Sequence, residues 1–246
     1  MKLENNIILI TGGSTGIGFA LAEYFAAKNK VIICSKNKTN IENAKKRIPS
    51  IHSYVCDLSK KEELEKFVEW IIKNHSDLNI LINNAGIQKR INIKEWQDSI
   101  DIEDEIDINL KAPIYLSLKL LPILITKENP AIINISSGLA FIPSAIFPIY
   151  CATKAAIHSF TMSLRHQLRD TKIAVIELIP PMVHDTYLKG KYIERTWNSI
   201  STKELVEETV NELKKDKLEI QIGMAKNIIK NSKENIEKAF NDMNRE

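Results

Sequence analysis

Ile7-Ile8-Leu9-Ile10-Thr11-Gly12-Gly13-Ser14-Thr15-Gly16-Ile17-Gly18 is the stretch on which the fold turns. A short apolar run enters a glycine cluster, and Ile17, Ala20, Leu21, Tyr24 and Phe25 then follow at helical spacing. A strand, a glycine turn and a helix in that order suit a dinucleotide pyrophosphate. The backbone can approach the phosphates without Cβ atoms, and the helix start offers free N–H groups and the positive end of its dipole. Average glycine usage is about 7%, yet this chain has 8 glycines in 246 residues and places four of them, Gly12, Gly13, Gly16 and Gly18, within this turn. Three residues separate Gly12 from Gly16, a wider gap than in the GxGxxG fingerprint, so a purely structural tight turn is the competing reading of the loop taken alone.

Outward from this turn the chain alternates strands and helices. Val31-Ile32-Ile33-Cys34, Ser53 to Cys56, Ile80-Leu81-Ile82, Ile132-Ile133-Asn134-Ile135, Ala174-Val175-Ile176 and Leu218 to Ile222 read as six further strands. Ser59-Lys60-Lys61-Glu62 and Ser201-Thr202-Lys203-Glu204 read as capping boxes opening two of the helices. Helices of about 110–126 and 150–170 flank the fifth strand. Continuous apolar strands between amphipathic helices predict an α/β fold, a seven-stranded parallel sheet wound on both faces, in one domain over 1–246. Glu95 to Asp107 holds seven acidic residues interleaved with isoleucines, the pattern of a solvated helix face rather than a metal site.

Composition narrows the function. Net charge is +3, from 34 basic and 31 acidic residues that are scattered along the chain, so no nucleic-acid or anionic-membrane footprint is expected. No apolar run approaches the roughly 18 residues of a membrane span, and the N-terminus lacks a secretory pattern. Cys34, Cys56 and Cys151 are too far apart for a metal or redox motif, and no histidine pair has metal-ligand spacing, which predicts a cytoplasmic, reduced and metal-free protein. Cys151 is expected to be a packing residue, with redox sensitivity as the alternative.

Two further sites carry chemistry. A carboxylate at the end of the second strand would bond the ribose 2′-hydroxyl of NAD, but this chain has Ser35-Lys36-Asn37 there. Lys36 could instead meet the 2′-phosphate of NADP through a charge-assisted bond worth roughly 1.5–3 kcal/mol, roughly 10- to 150-fold in preference. The spacing therefore favours NADP (NADPH) over NAD, unless Lys36 is only a surface lysine. Tyr150-Cys151-Ala152-Thr153-Lys154 puts a phenol and an ammonium on one helix face. A neighbouring cation lowers a phenol's pKa, and about 4 kcal/mol would bring it from about 10 to about 7. Taken alone, such a pair is commonly a surface pair.

In order along the chain, TGGSTGIG, Asn83-Asn84-Ala85-Gly86, Asn109 of INL, Ser136-Ser137-Gly138, YCATK and the proline pair after the sixth strand resemble the short-chain dehydrogenase/reductase family, over about residues 5 to 222. VIICSKN, LINNAGIQ, INISSGLAF and YCATKAAIHS look like its DltE-type branch, oxidoreductases associated with D-alanylation of teichoic acids. The resemblance implies a Rossmann fold and an NADP(H)-dependent oxidoreductase that interconverts a small-molecule carbonyl and an alcohol. Tyr150 would be the general acid or base, Ser137 would hydrogen-bond the substrate oxygen, and Lys154 would lower the Tyr150 pKa and bind the nicotinamide ribose. Asn109 would hold a water linking Lys154 to solvent. Cofactor contacts would come from Gly12, Ser14, Thr15, Gly16, Ile17 and Gly18 in the first turn and from Ser35 and Lys36. Asp57 and Leu58 would contact adenine, Asn83, Ala85 and Gly86 would lie beside the ribose with Asn83 also supporting the sheet, and Pro180, Val183 and Thr186 would face the nicotinamide. A non-catalytic NADP sensor or partner-binding protein is the competing class, and an epimerase or dehydratase on the same fold a further one whose extra base is not visible.

The segment Pro180-Pro181-Met182-Val183-His184-Asp185-Thr186 departs from the family, which usually has Pro-Gly there. His184 looks like an extra residue, leaving open whether Asp185 or Thr186 makes the carboxamide contact. It reads as a solvated loop histidine, or else as a polar contact in the substrate cleft. Residues of about 184–200, with Tyr187, Lys189, Lys191, Tyr192, Arg195 and Trp197, stand where the family has its substrate loop and predict a lid over a moderately polar site. The helix from Pro113 to Pro122 is apolar around most of its circumference and is expected to be buried on several sides. The equivalent helix in the family lies in a dimer interface, so a homodimer or homotetramer is implied. A C-terminal helical extension of about 224–246 is amphipathic and is expected to pack on protein rather than on a membrane surface.

Overall fold

The computed structural model describes residues 2–95, 102–188, 191–192 and 199–245. Its strands are β1 (Ile7–Thr11), β2 (Lys30–Ser35), β3 (His52–Val55), β4 (Ile80–Asn83), β5 (Ala131–Ile135), β6 (Ala174–Ile179), β7 (Tyr187–Leu188), β8 (Lys191–Tyr192) and β9 (Glu219–Gln221). The helices are α1 (Gly16–Ala26), α2 (Lys38–Arg47), α3 (Lys61–Asn74), α4 (Glu103–Ile106), α5 (Ala112–Leu124), α6 (Pro148–Gln167), α7 (Thr202–Leu213), α8 (Ala225–Glu234) and α9 (Ile236–Met243). Seven strands form one parallel sheet in the order β3-β2-β1-β4-β5-β6-β9, while β7 and β8 pair separately and antiparallel. This is the doubly wound Rossmann arrangement expected from the sequence, with the strand order reversing between β1 and β4.

Successive strand side chains point to opposite faces, so a run without polar residues must be covered on both. Ile8 and Ile10 pack with Phe19, Phe25, Leu205 and Val210 of α1 and α7. Leu9 between them packs with Phe67, Ile71, Leu116 and Leu120 of α3 and α5. Cys34, Cys56 and Cys151 are free thiols inside the protein. No described helix is long and apolar enough to cross a membrane.

Several expectations are corrected in detail. Ser201 and Glu204 form the expected capping box at α7. The one expected at Ser59 does not form: Lys60 is the N-cap of α3, without a side-chain cap, because the Ser59 hydroxyl donates to Asp57 instead, at 2.8 Å. The acidic segment is not simply a solvated face, since Glu105 is fully buried and accepts the Lys89 N–H at 3.2 Å. Residues 96–101 of that segment lie outside the described residues. Along α5, Leu116, Leu120 and Leu124 are buried, as expected of a helix covered on several sides, while Leu118 is 52% exposed and leaves an apolar face open. The C-terminal extension packs on protein: Ile179, Ala225 and Ile229 form a small third core beside Phe141.

Candidate active site

The parallel strands deliver their C-terminal ends to one edge. A cleft of about 670 Å³ runs along it, from the ends of β3 and β2 across β1 and β4 to β5 and β6. At its centre the glycine turn is pressed onto the end of β4. Gly12 has φ +63°, and a Cβ there would stand 3.0 Å from the Ala85 Cα; one at Gly18 would stand 2.4 Å from Asn84 Nδ2. Only glycine fits such approaches. Asn84 locks the contact, donating from Nδ2 to the Thr11 carbonyl at 2.8 Å, while Thr11 Oγ1 accepts the N–H groups of Asn84 and Ala85 at 2.9 and 3.0 Å.

Thr15 N-caps α1 without a side-chain hydrogen bond, and Thr15, Gly16 and Ile17 line the cleft. The first N–H groups of α1 therefore lack a side-chain acceptor and face the cleft with the positive end of the helix, which fits a pyrophosphate. Gly12, Ser35, Lys36, Asp57, Leu58, Ala85, Gly86, Tyr150, Lys154, Pro180, Val183 and Thr186 also line the cleft. Ser14 and Gly18 stand behind it, Ser14 being buried. Asn83 is directed into the core, donating to Asn134 Oδ1 at 2.8 Å and Ser117 Oγ at 3.1 Å, so the geometry supports the sheet-bracing half of its expected role. Lys36 is 58% exposed, with Nζ 4.0 Å from Asp57 Oδ2. Burial would raise the Asp57 carboxyl, but the Ser59 hydrogen bonds and the charges of Lys36 and Lys60 hold it below the ordinary carboxylate value.

Ser137 follows β5 and caps the 3₁₀ turn Gly138–Ala140, its Oγ accepting the Leu139 N–H at 3.1 Å. Pro148 opens α6, whose first two turns carry Tyr150 and Lys154. Ser137 and Tyr150 both line the cleft. Lys154, 5% exposed, donates from Nζ to the Ile135 carbonyl at 2.8 Å and stands 5.6 Å from the centre of the Tyr150 ring. Burial pushes the Tyr150 phenol up to about 12, with the Ser137 hydrogen bond acting in the opposite sense. Burial also lowers Lys154 to about 8. Desolvation, the largest influence on the phenol, acts against the expected depression of the tyrosine by the lysine. At neutral pH the pair is a phenol, able to donate a proton, beside an ammonium.

Asn109 occupies a π-helical turn, Asp107–Lys111, between α4 and α5. Its Oδ1 accepts the Ile87 N–H at 2.8 Å, and its Nδ2 donates to the Ile87 carbonyl at 2.8 Å and Thr153 Oγ1 at 3.2 Å. The side chain thus ties the segment after β4 to α6 and does not itself line the cleft. A Cβ on Gly86 would lie 3.4 Å from Asn109 Oδ1 and 3.7 Å from Lys154 Nζ, so these three residues stand together.

After β6 the structure separates Asp185 from Thr186. Asp185 (φ +57°) turns to the start of α7, accepting the Thr202 N–H at 3.0 Å. Thr186 is buried on the cleft side and donates to the Val183 carbonyl at 2.9 Å. His184 neither lines the cleft nor stands free in solvent; it is half-buried, with Nδ1 3.0 Å from Ser199 Oγ. Residues 189–190 and 193–198 of the expected lid, including Lys189, Arg195 and Trp197, lie outside the described residues. Motif spacing did not reveal Asn84, Met182, Met224, Ile228 or Met243 as cleft-lining residues. For Ile228 and Met243 the available signal was the apolar periodicity of the C-terminal extension.

The chain belongs to the short chain dehydrogenase family, whose model matches residues 6–197. Over nearly its whole length it is similar to DltE of Bacillus subtilis strain 168, an uncharacterised oxidoreductase, at 42% identity over 99% of this chain and 98% of that one, which places it in the DltE-type branch. In fold it is similar to a short chain dehydrogenase from Burkholderia cenocepacia in complex with NADP, with a TM-score of 0.85 and 22% identity over 100% of both chains. It is also similar to a family member from Burkholderia phymatum in complex with NAD, with a TM-score of 0.77 and 17% identity over 89% of each.

Proposed function

We propose that the protein is an NADP(H)-dependent carbonyl reductase, or alcohol dehydrogenase in the reverse direction. The observation that carries this reading is that Ser137, Tyr150 and the buried Lys154 line one cleft, on the same sheet edge as the glycine turn. Tyr150 gives its phenolic proton to the substrate carbonyl oxygen, and Ser137 hydrogen-bonds that oxygen as charge develops on it. Lys154 keeps a positive charge beside the tyrosinate that forms. A bound NADPH supplies the hydride, which goes to the carbonyl carbon as the C=O π bond breaks and the dinucleotide is oxidised to NADP⁺.

Preference for NADP rests on Lys36, which lines the cleft after β2, a strand that runs into Ser35-Lys36-Asn37 rather than into a carboxylate of its own. Thr186 rather than Asp185 is the carboxamide contact on this reading, since it alone of the two lines the cleft. A homodimer or homotetramer is favoured by the half-exposed Leu118 and Met162 on α5 and α6, and a cytoplasmic setting by the three free thiols. The likeness to DltE extends the proposal to a setting linked with D-alanylation of teichoic acids.

Incubation with NADPH deuterated at C4 and a mixed panel of ketones and aldehydes tests the reading. One deuterium at the carbinol carbon of a product alcohol is expected. Absence of label from every product, with NADPH shown to bind, would contradict it.

A further inference from the structure

The cleft changes character along its length. Toward β2 and β3 it is lined by Ser35, Lys36 and Asp57. Beyond Ser137 and Tyr150 the wall is Leu139, Phe147, Met182, Met224, Ile228 and Met243. Among the described residues, the charged side chains lining the cleft are Lys36, Asp57 and Lys154, none of them on this apolar wall. Met224, Ile228 and Met243 come from the C-terminal extension, and Ile228 presses on the turn after Ser137, where its Cδ1 would lie 3.1 Å from a Cβ on Gly138.

The far end of that extension is latched. Asn244 Oδ1 accepts the Ala145 N–H at 2.6 Å, and its Nδ2 donates to the Pro143 carbonyl at 3.0 Å and the Phe240 carbonyl at 2.8 Å. Residues 143–145 lie between the Ser137 turn and the tyrosine helix, so one amide joins α9 to the loop that leads into Tyr150. Met243 is thereby held at the mouth of the cleft, 36% exposed. Methionine side chains adapt their shape to an apolar partner and offer little to a hydroxyl or phosphate.

Resting on the oxidoreductase reading above, we infer that the substrate is a carbonyl compound with a bulky apolar substituent, seated on the wall formed by Leu139, Met224, Ile228 and Met243, and that Asn244 is a positioning residue for that wall. Polyhydroxylated and phosphorylated carbonyl compounds, which need charged or hydrogen-bonding partners when buried, do not suit it.

The test is NADPH-dependent reduction of 2-alkanones of increasing chain length, in parallel with dihydroxyacetone phosphate as the polar comparator. kcat/KM should rise about threefold to fourfold per added methylene until the wall is filled, in line with burial of that much apolar surface. Met243→Ala should flatten this dependence while leaving NADPH affinity unchanged. Asn244→Ala should raise KM for the long ketones more than it lowers kcat, with the shortest ketone little affected. Preference for dihydroxyacetone phosphate, a flat dependence on chain length, or no turnover of any 2-alkanone would overturn the inference while NADPH still binds. Loss of NADPH binding by the unmodified protein would instead remove the oxidoreductase reading beneath it.

Discussion

Lys154 stands one helical turn beyond Tyr150, its Nζ 5.6 Å from the centre of the Tyr150 ring and bonded to the Ile135 carbonyl at 2.8 Å. Lys154 is buried and Tyr150 partly so, and desolvation moves them in opposite directions, the phenol up to about 12 and the ammonium down to about 8. Reduction needs the phenol protonated and the ammonium charged, and both conditions hold below about pH 8. The rate of reduction is therefore expected to be level through neutral pH and to fall about tenfold per pH unit above about 8, the limb of a single essential ionisation. A profile that rises through pH 8 would contradict this assignment.

On the proposed NADP reading, Lys36 meets the 2′-phosphate. Lys36→Ala is expected to weaken NADPH binding by about tenfold or more and leave NADH nearly unchanged, as loss of one charge-assisted bond implies. Fluorescence titration of both nucleotides measures the ratio, and an unchanged ratio would show that the phosphate is held elsewhere.

The buried carboxylate of Glu177 takes the Ser136 hydroxyl at 2.5 Å and His158 Nδ1 at 2.8 Å. The hydrogen bond that His158 donates to Glu177 raises the His158 pKa above 6.5, with burial acting against it. Stabilisation from the charged pair is complete below that unfolded value and fades as pH rises through the folded one. His158→Gln should therefore cost about 1–3 kcal/mol of unfolding free energy at pH 5.5 and clearly less at pH 9, as measured by urea denaturation. An equal loss at both pH values would mean that the contact acts by packing alone.

Leu118 and Met162 leave apolar surface open on α5 and α6, each 52% exposed. Leu118→Asp is expected to shift the protein to monomers in sedimentation velocity, with its fold intact by circular dichroism. A monomeric unmodified protein would remove the assembly from the account.

The sheet and most of its functional edge were legible because they rest on local patterns: apolar runs of strand length, glycines at a tight turn, and a tyrosine and lysine one helical turn apart. What the sequence concealed depends on distant partners. One exception is local: Ser59 looked like a cap, but Asp57, two residues before it, takes its hydroxyl. Glu105 looked solvated within an acidic run, yet tertiary packing buries it against the Lys89 amide. The Asn244 to Ala145 bond spans 99 residues, and no spacing rule connects an amide three residues from the C-terminus with the approach to Tyr150. Helical spacing likewise places the Lys154 cation near Tyr150 but says nothing of the desolvation that acts against its effect.

Tyr150→Phe removes one oxygen atom and leaves the ring in place, so it isolates the proton donor from the rest of the cleft. Turnover and NADPH affinity measured on the same preparation test the central claim most directly. Turnover reduced by about 10²–10⁴-fold, with NADPH affinity within about twofold of the unmodified protein, is the expected result. Turnover retained by the phenylalanine variant would show that the proton comes from another group and that this cluster is not the catalytic centre.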